Sequence, residues 1–327
     1  MARITYREAI SQALREEMHR DERVFIIGEE IGVWGGTYAV TRGFLDEFGE
    51  TRVKDTPIAE SVIAGAATGA AMAGLRPVAE IMTINFAFLA FDQIVNHAAK
   101  LHYMFNGQIK VPVVFRTVGG GGRQLAATHS QTPDVIFAHF PGLKVVAPGT
   151  PADAKGLLKS AIRDDDPVFF IESATLYSVR GEVPDDEDFV LPIGVSDIKR
   201  RGKDVTLVSY SKMIQTTLEA ADKLAEMGVE ADVIDLRSLR PLDTAPIIES
   251  VKKTNRLVVV EEGWRSFGIG AEVASQVAEL AFDHLDAPIR RVAQAEVPLP
   301  YNKRLEQLAL PQVDDVINAA KDVLYLK

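Results

Sequence analysis

Glu60 closes the run Asp55-Thr56-Pro57-Ile58-Ala59 and opens a stretch of mostly alanine and glycine. A carboxylate set among small apolar residues and kept from water has a raised pKa, the condition for moving protons near neutral pH. The alternative is a glutamate in the first turn of a helix, favoured there by the helix dipole. Val118-Gly119-Gly120-Gly121-Gly122-Arg123 follows an apolar run. Its backbone N–H groups can cradle an anion, or the run can be a plain flexible loop. It is neither a P-loop nor a dinucleotide fingerprint, since no Lys-Ser/Thr pair follows and the glycine spacing is wrong. Ten residues after Gly119 comes His129, in Ala127-Thr128-His129-Ser130-Gln131. A histidine beside mobile glycine can polarise a carbonyl or carry a proton, although a lone histidine serves as well in a structural role. Glu261-Glu262-Gly263 follows Leu257–Val260 and either faces a cleft at strand ends or, in the plainer reading, forms solvated carboxylates at a helix start. His97 and His102 do not share the i, i+4 spacing of a metal pair, and there is no HExxH, GxSxG or Walker lysine.

These residues need elements to hold them. Val24–Ile27, Val78–Ile84, Val111–Arg116, Leu143–Val146 and Val168–Glu172 are continuous apolar runs, the mark of strands covered on both faces. Helical segments over 61–74, 89–105 and 151–164 lie between them, which predicts an α/β architecture. Tyr6, Ile10, Leu14 and Met18 recur at helical spacing and predict an amphipathic surface helix at the N-terminus. The segment 181–192, GEVPDDEDFVLP, is acidic, holds two prolines and lacks periodicity, so it reads as a linker. A second α/β series follows, with strands at 205–210, 229–236, 257–260 and 289–292 and helices at 213–227, 244–253 and 268–285. In the small-residue helix, Gly65, Gly69 and Ala73 form one row and Ala66, Ala70 and Gly74 its neighbour. Such rows let another helix approach closely, either within the chain or, in the sharper reading, across a subunit interface.

The 327 residues fit two domains at ~150 residues each. With 36 basic against 46 acidic residues the net charge is −10, which argues against nucleic-acid and polybasic membrane binding. There are no cysteines, which excludes disulfides, thiolate metal sites and thiol nucleophiles and fits a reducing compartment. The longest uncharged stretch, Ser61–Leu75, falls short of the ~20 strongly apolar residues of a membrane span. Glu16, Glu17 and Asp21 are residues that a targeting peptide avoids, so the expected location is cytoplasmic.

Taken in order, several motifs resemble the beta subunits of thiamine-diphosphate-dependent 2-oxoacid dehydrogenases, most of all the pyruvate dehydrogenase type. They are Gly28-Glu29-Glu30, Asp55 to Glu60, Ala71-Met72-Ala73-Gly74-Leu75-Arg76-Pro77, Phe91-Asp92-Gln93, His129-Ser130-Gln131, Pro141 to Val146, Asp153 to Leu157 and Val297-Pro298-Leu299-Pro300-Tyr301. Their ordered set spans nearly the whole chain. The resemblance implies a transketolase-like pyrimidine-binding domain over 1–180, the linker over 181–192, and a transketolase C-terminal-like domain over 193–327 for assembly and docking. It implies an α2β2 heterotetramer in which this chain holds the aminopyrimidine of thiamine diphosphate. The alpha subunit would hold the diphosphate and Mg2+ through a Gly-Asp-Gly motif that this sequence lacks.

By the same resemblance, Glu60 hydrogen-bonds the pyrimidine nitrogen and takes part in its proton exchange. Phe86 stacks on the ring, Ile58 packs beside it, and Glu29 lies at its polar edge. His129 stabilises charge on the substrate or assists acyl transfer to a lipoyl group of the dihydrolipoamide acyltransferase core. Many pyruvate-type relatives carry glutamine three residues after the aromatic, where this chain has Leu89. A potassium site is implied at the carbonyls of Val113, Ala161 and Ile162 with Asp164 and Asp166, against a plain solvated turn at 164–166. The leading expectation is oxidative decarboxylation of pyruvate. A branched-chain 2-oxoacid or acetoin dehydrogenase beta subunit is the rival in chemistry, and a non-catalytic scaffold subunit the rival in kind.

Overall fold

Apolar runs without polar alternation become strands buried on both faces, and the β-strands Val24–Gly28 and Val168–Ser173 of one sheet are buried at every residue. The structure, a computed structural model, describes residues 1–326. These divide into two units, residues 1–119 with 136–193 and residues 120–135 with 194–326. Each unit is α/β with mostly parallel strands, as the sequence pattern predicts.

The N-terminal unit holds strands β1 (Ala2–Thr5), β2 (Val24–Gly28), β3 (Val53–Asp55), β4 (Arg76–Ile81), β5 (Val114–Gly119), β6 (Lys144–Val146), β7 (Val168–Ser173) and β8 (Arg180–Val183). Six of them pair in parallel in the order β6-β7-β5-β4-β2-β3. The helices in chain order are α1 (Tyr6–Arg20), α2 (Phe44–Phe48), α3 (Glu60–Met72), α4 (Ala99–Met104), α5 (Asp134–Ala138) and α6 (Pro151–Arg163). Helix α1 starts at a capping box, with Glu8 N–H on Thr5 Oγ1 (3.2 Å) and Thr5 N–H on Glu8 Oε2 (2.7 Å). Its buried stripe, Tyr6, Ile10, Leu14 and Met18, joins Leu157, Leu158 and Ile162 of α6 in one core.

Two local expectations change. The segment expected as a linker over 181–192 begins inside β8, where Gly181, Glu182 and Val183 pair antiparallel with Ile4, Arg3 and Ala2. The helix expected over 89–105 is instead a 3₁₀ turn at Phe86–Ala90, a π-helical segment at Gln93–Ala98 and then α4. Such segments shift the helical phase, which a 3.6-residue pattern does not reveal.

The C-terminal unit holds β9 (Asp197–Arg200), β10 (Val205–Ser209), β11 (Ala231–Asp235), β12 (Ser238–Arg240), β13 (Leu257–Trp264) and β14 (Arg290–Gln294). Its sheet runs β14-β13-β10-β11-β9, parallel except for the edge strand β9. Helices α7 (Met213–Glu226), α8 (Ala245–Thr254), α9 (Ile269–Ala281), α10 (Lys303–Ala309) and α11 (Val313–Leu324) complete it. Val205 and Leu207 of β10 meet the apolar residues of α7 and α11. On the opposite face, Thr206 Oγ1 lies 2.7 Å from both Ser250 and Thr254 hydroxyls of α8. Strand β13 runs four residues past Val260, so Glu261 and Glu262 are not solvated helix-start carboxylates but strand residues, 1% and 5% exposed.

Candidate active site

Between β2 and β4 the chain changes direction across the sheet: β3 lies on one side of β2, and β4, β5 and β7 continue on the other. In open α/β sheets ligands bind at the carboxyl ends of strands at such a switch point. Glu29 follows β2, the turn Thr56 to Ala59 follows β3, and Phe86 follows β4. Gly28 is glycine for a steric reason, since a Cβ there would lie 2.7 Å from the Glu80 carbonyl oxygen on β4. Thr56 N–H bonds Gly28 O at 3.0 Å, and Asp55 Oδ1 takes Gly32 N–H at 2.6 Å, which ties the loop after β2 to β3.

Glu60 is the first residue of α3 and only 4% exposed. Ala59 offers no side-chain cap, and the Glu60 carboxylate makes no hydrogen bond among the described residues. Glu29 is 5% exposed, and its Oε1 has no hydrogen-bond partner. Burial pushes the Glu29 pKa up, and the nearby charges of Glu60, Glu80 and Glu30 push it further. Two buried carboxylates within electrostatic reach, one with an orphaned oxygen, are unfavourable unless a donor-rich group joins them. Ile58 is 80% exposed and Phe86 half-buried, which supplies apolar surface beside the acids. Leu89 is exposed as well. The donors of an aminopyrimidine and the flat faces of its ring fit this set of groups.

A second buried assembly, absent from the sequence reading, lies on β4, β5 and β7. Arg116 bonds Glu80 through Nη1 and Glu172 through Nε and Nη2, the last at 2.9 Å to Oε2. Tyr177 O–H donates to the same Glu172 Oε2 at 2.6 Å. Burial raises the Glu80 pKa although Arg116 opposes it. Burial also works against the Arg116 charge, but Glu172 and Glu80 outweigh it and hold that pKa above the ordinary value. The signal was present as single charged residues interrupting apolar strands.

His129 lies in the 120–135 segment of the C-terminal unit. It is exposed, with Nδ1 2.9 Å from Thr128 Oγ1 and its N–H on Ala126 O at 3.3 Å. The glycine run is neither an open anion cradle nor a free loop. Gly121 N–H donates to Glu262 Oε1 at 2.6 Å, and Gly122 and Gln124 N–H donate to Glu306 Oε1 at 3.0 and 3.1 Å. The anions it cradles are the protein's own carboxylates. Lys212, which pairs with Glu262, also donates to Gly121 O at 2.8 Å. Glu261 is held by Gly270 N–H (3.0 Å) and Arg291 (2.7 Å).

The residues expected to bind potassium face cations of the chain itself. Lys144 Nζ lies 2.7 Å from Asp164 and 3.1 Å from Asp166, and Arg76 Nη1 donates to the carbonyls of Ile162 and Asp164 at 2.9 Å each. Val113 O accepts from Val168 N–H at 2.9 Å. Among the described residues no group of three or more His, Asp or Glu side chains is placed to hold a metal. On α3 and in the two residues after it, the small residues Ala66, Gly69, Ala73 and Gly74 are exposed, while Ile63, Ala64, Ala67 and Ala71 pack inward. The rest of the N-terminal unit therefore leaves most of both small-residue rows uncovered.

The comparisons agree with this architecture. Residues 2–179 match the family model for the transketolase pyrimidine-binding domain, and residues 194–316 that for the transketolase C-terminal domain. A solved structure described as a split-gene transketolase, inactive beta4 tetramer, has a TM-score of 0.81 at 26% identity, covering 100% of both chains. Pyruvate dehydrogenase E1 component subunit beta of Rickettsia conorii is 53% identical over 98% of this chain and 98% of its own length. The subunit of the same name from Rhizobium meliloti is 52% identical over 99% of this chain and 71% of its own length. The mitochondrial subunit of Drosophila melanogaster is 51% identical, with 98% and 89% covered. The fold and the two family models thus define a protein of the transketolase-like class. Within that class, the chain belongs to the family of pyruvate dehydrogenase E1 component beta subunits.

Proposed function

We propose that this chain supplies half of the active site of a pyruvate-decarboxylating, acetyl-transferring α2β2 complex. Residues 1–180 serve as its pyrimidine-binding domain, 181–192 as the connection, and 193–327 as its assembly and docking domain. The supporting observation is the orphaned, buried Glu29 oxygen beside the buried Glu60 at the switch point of the sheet. Thiamine diphosphate, when bound, supplies the electron sink that loss of carbon dioxide from a 2-oxo acid requires.

Each residue of the chain then has a task. Glu60, dry and at a helix N-terminus, holds and returns a proton at the pyrimidine nitrogen. Glu29 accepts from the amino edge of the ring, which relieves its own unpaired oxygen. Phe86 and Ile58 cover the ring faces and exclude water. His129 donates to charge that develops on the substrate or on the acceptor lipoyl group. The uncovered small-residue face of α3 suits a subunit contact. The alpha subunit holds the diphosphate and Mg2+, the acyltransferase core receives the acyl group, and the complex works in the cytoplasm. A potassium ion at Val113, Ala161, Ile162, Asp164 and Asp166 belongs to the same proposal, and there it shares ligands with Lys144 and Arg76.

Glu60→Gln tests the reading in the complex co-expressed with the alpha partner, with dye reduction followed on pyruvate, 2-oxoisovalerate and acetoin. Losing one positioned acid–base group lowers kcat by about 10²–10⁴-fold with assembly intact. Wild-type turnover in the variant refutes the role. Strongest wild-type activity on 2-oxoisovalerate or acetoin would keep the site chemistry and replace the substrate.

A further inference from the structure

We infer that Glu306 is a positioning residue for His129, a role that rests on the function proposed for that histidine. The segment from Gly120 to His129 does not hold its shape by its own sequence. Gly120, Gly122, Gln124 and Ala126 all have positive φ, at 88°, 99°, 58° and 64°. Glycine adopts this conformation freely, but Gln124 and Ala126 are L-residues that keep it only when surrounding contacts impose it. The alternation turns successive N–H groups to one side, the geometry of an anion-binding nest.

Glu306 fills that nest. It is 1% exposed on α10 and accepts Gly122 N–H at 3.0 Å and Gln124 N–H with both oxygens at 3.1 Å. Its helix is anchored by Asn302, whose Oδ1 accepts from Arg304 and Leu305 N–H at 3.0 and 3.2 Å. Leu299, Ala309 and Leu310 form an apolar cluster against Gly121, where a Cβ would lie 2.4 Å from Leu299 Cδ1. From Gln124 the fixed geometry passes to Ala126, whose carbonyl takes the N–H of His129 at 3.3 Å. One buried carboxylate thereby sets the path of the backbone that presents the imidazole.

The surroundings separate this role from general stabilisation. Gly122 and Gln124 are exposed residues, so water can take the place of the Glu306 carboxylate at their N–H groups. Glu262 and Lys212 still hold Gly121. Loss of Glu306 therefore loosens the loop and leaves the sheet and its helices in place.

The test uses the complex co-expressed with its alpha partner and four variants: Glu306→Ala, Glu306→Gln, His129→Ala and the double variant with both alanines. Glu306→Ala is expected to lower kcat by roughly ten- to a hundredfold, the order of loss for a misplaced group, with KM little changed. Amide hydrogen exchange should quicken over residues 120–131 and nowhere else. Glu306→Gln, which keeps one acceptor oxygen, should restore part of the rate. In the His129→Ala background, Glu306→Ala should cause no further loss, because the two act as a unit. A further loss of the same size in that background, unchanged exchange over 120–131, or wild-type turnover in Glu306→Ala would each overturn the inference. Wild-type turnover in His129→Ala is a separate result: it removes the role proposed for the histidine, and with it any residue for Glu306 to position.

Discussion

Replacing Arg116 by methionine removes the one cation between two buried carboxylates, Glu80 and Glu172, and keeps most of the side-chain volume. Both acids are nearly inaccessible to water, and Glu172 keeps only the Tyr177 hydroxyl. Breaking a buried ion pair from one side costs about 3–5 kcal/mol. Proton uptake by one of the two acids costs a similar amount. From the ordinary glutamate value of 4.5, neutralising one carboxylate at pH 7 takes about 3.4 kcal/mol at 1.36 kcal/mol per unit. The expected deficit at pH 7 is therefore about 3–5 kcal/mol, or roughly 6–20 °C in melting temperature for a unit of this size.

The pH dependence follows from linkage. Burial already pushes the Glu80 pKa up and the variant lacks the opposing charge of Arg116, so the folded state binds more protons than the unfolded chain and stability falls as pH rises. The deficit should be smallest near pH 5 and grow towards pH 8. Urea unfolding of the variant and the parent at pH 5.5, 7 and 8, with the triple change Arg116→Met, Glu80→Gln, Glu172→Gln as control, measures this. The control should recover much of the loss, because no buried charge then lacks a partner. A deficit below about 1 kcal/mol, or one independent of pH, would refute the reasoning.

Glu29→Gln removes a buried acid with an orphaned oxygen, so the chain without cofactor should gain about 1 kcal/mol at pH 7 and less at pH 5. The same change should weaken thiamine diphosphate binding in the complex, and calorimetry showing unchanged affinity would exclude Glu29 from the site. Burial pushes Asp134 up to about 7, against the opposing hydrogen bond from Tyr210. The stability tied to its neutral form is complete below its ordinary value of 3.8 and lost as pH rises towards 7. Asp134→Asn should flatten that slope, and an unchanged pH profile of unfolding would disprove the assignment. If potassium joins Asp164 and Asp166, the complex should melt several degrees higher in potassium than in sodium chloride at equal ionic strength. Equal melting would remove the ion from the proposal.

Residue type and order along the chain were enough for several conclusions. The apolar runs Val24–Ile27 and Val168–Glu172 needed no tertiary information to be recognised as buried parallel strands, since a strand covered on both faces tolerates such a run. The ordered motifs from Gly28 to Tyr301 carried the family. Glu60 stood out because a carboxylate at the head of an alanine- and glycine-rich helix has few solvated neighbours. These are local properties, written in spacings of one to four residues.

Partners distant in sequence were decided by the tertiary structure alone. Gly121 meets Glu262, Gly122 meets Glu306, and Arg116 meets both Glu80 and Glu172. The glycine run looked like a cradle for a foreign anion because its N–H groups were visible in the sequence, whereas the carboxylates that fill it lie more than 140 residues away. Glu261 and Glu262 looked solvated for the same reason: nothing near them shows that Arg291, Lys212 and two backbone amides will make their burial tolerable. The desolvation of a charge and the group that compensates it are set by packing across strands, so their balance exists only once the chain has folded.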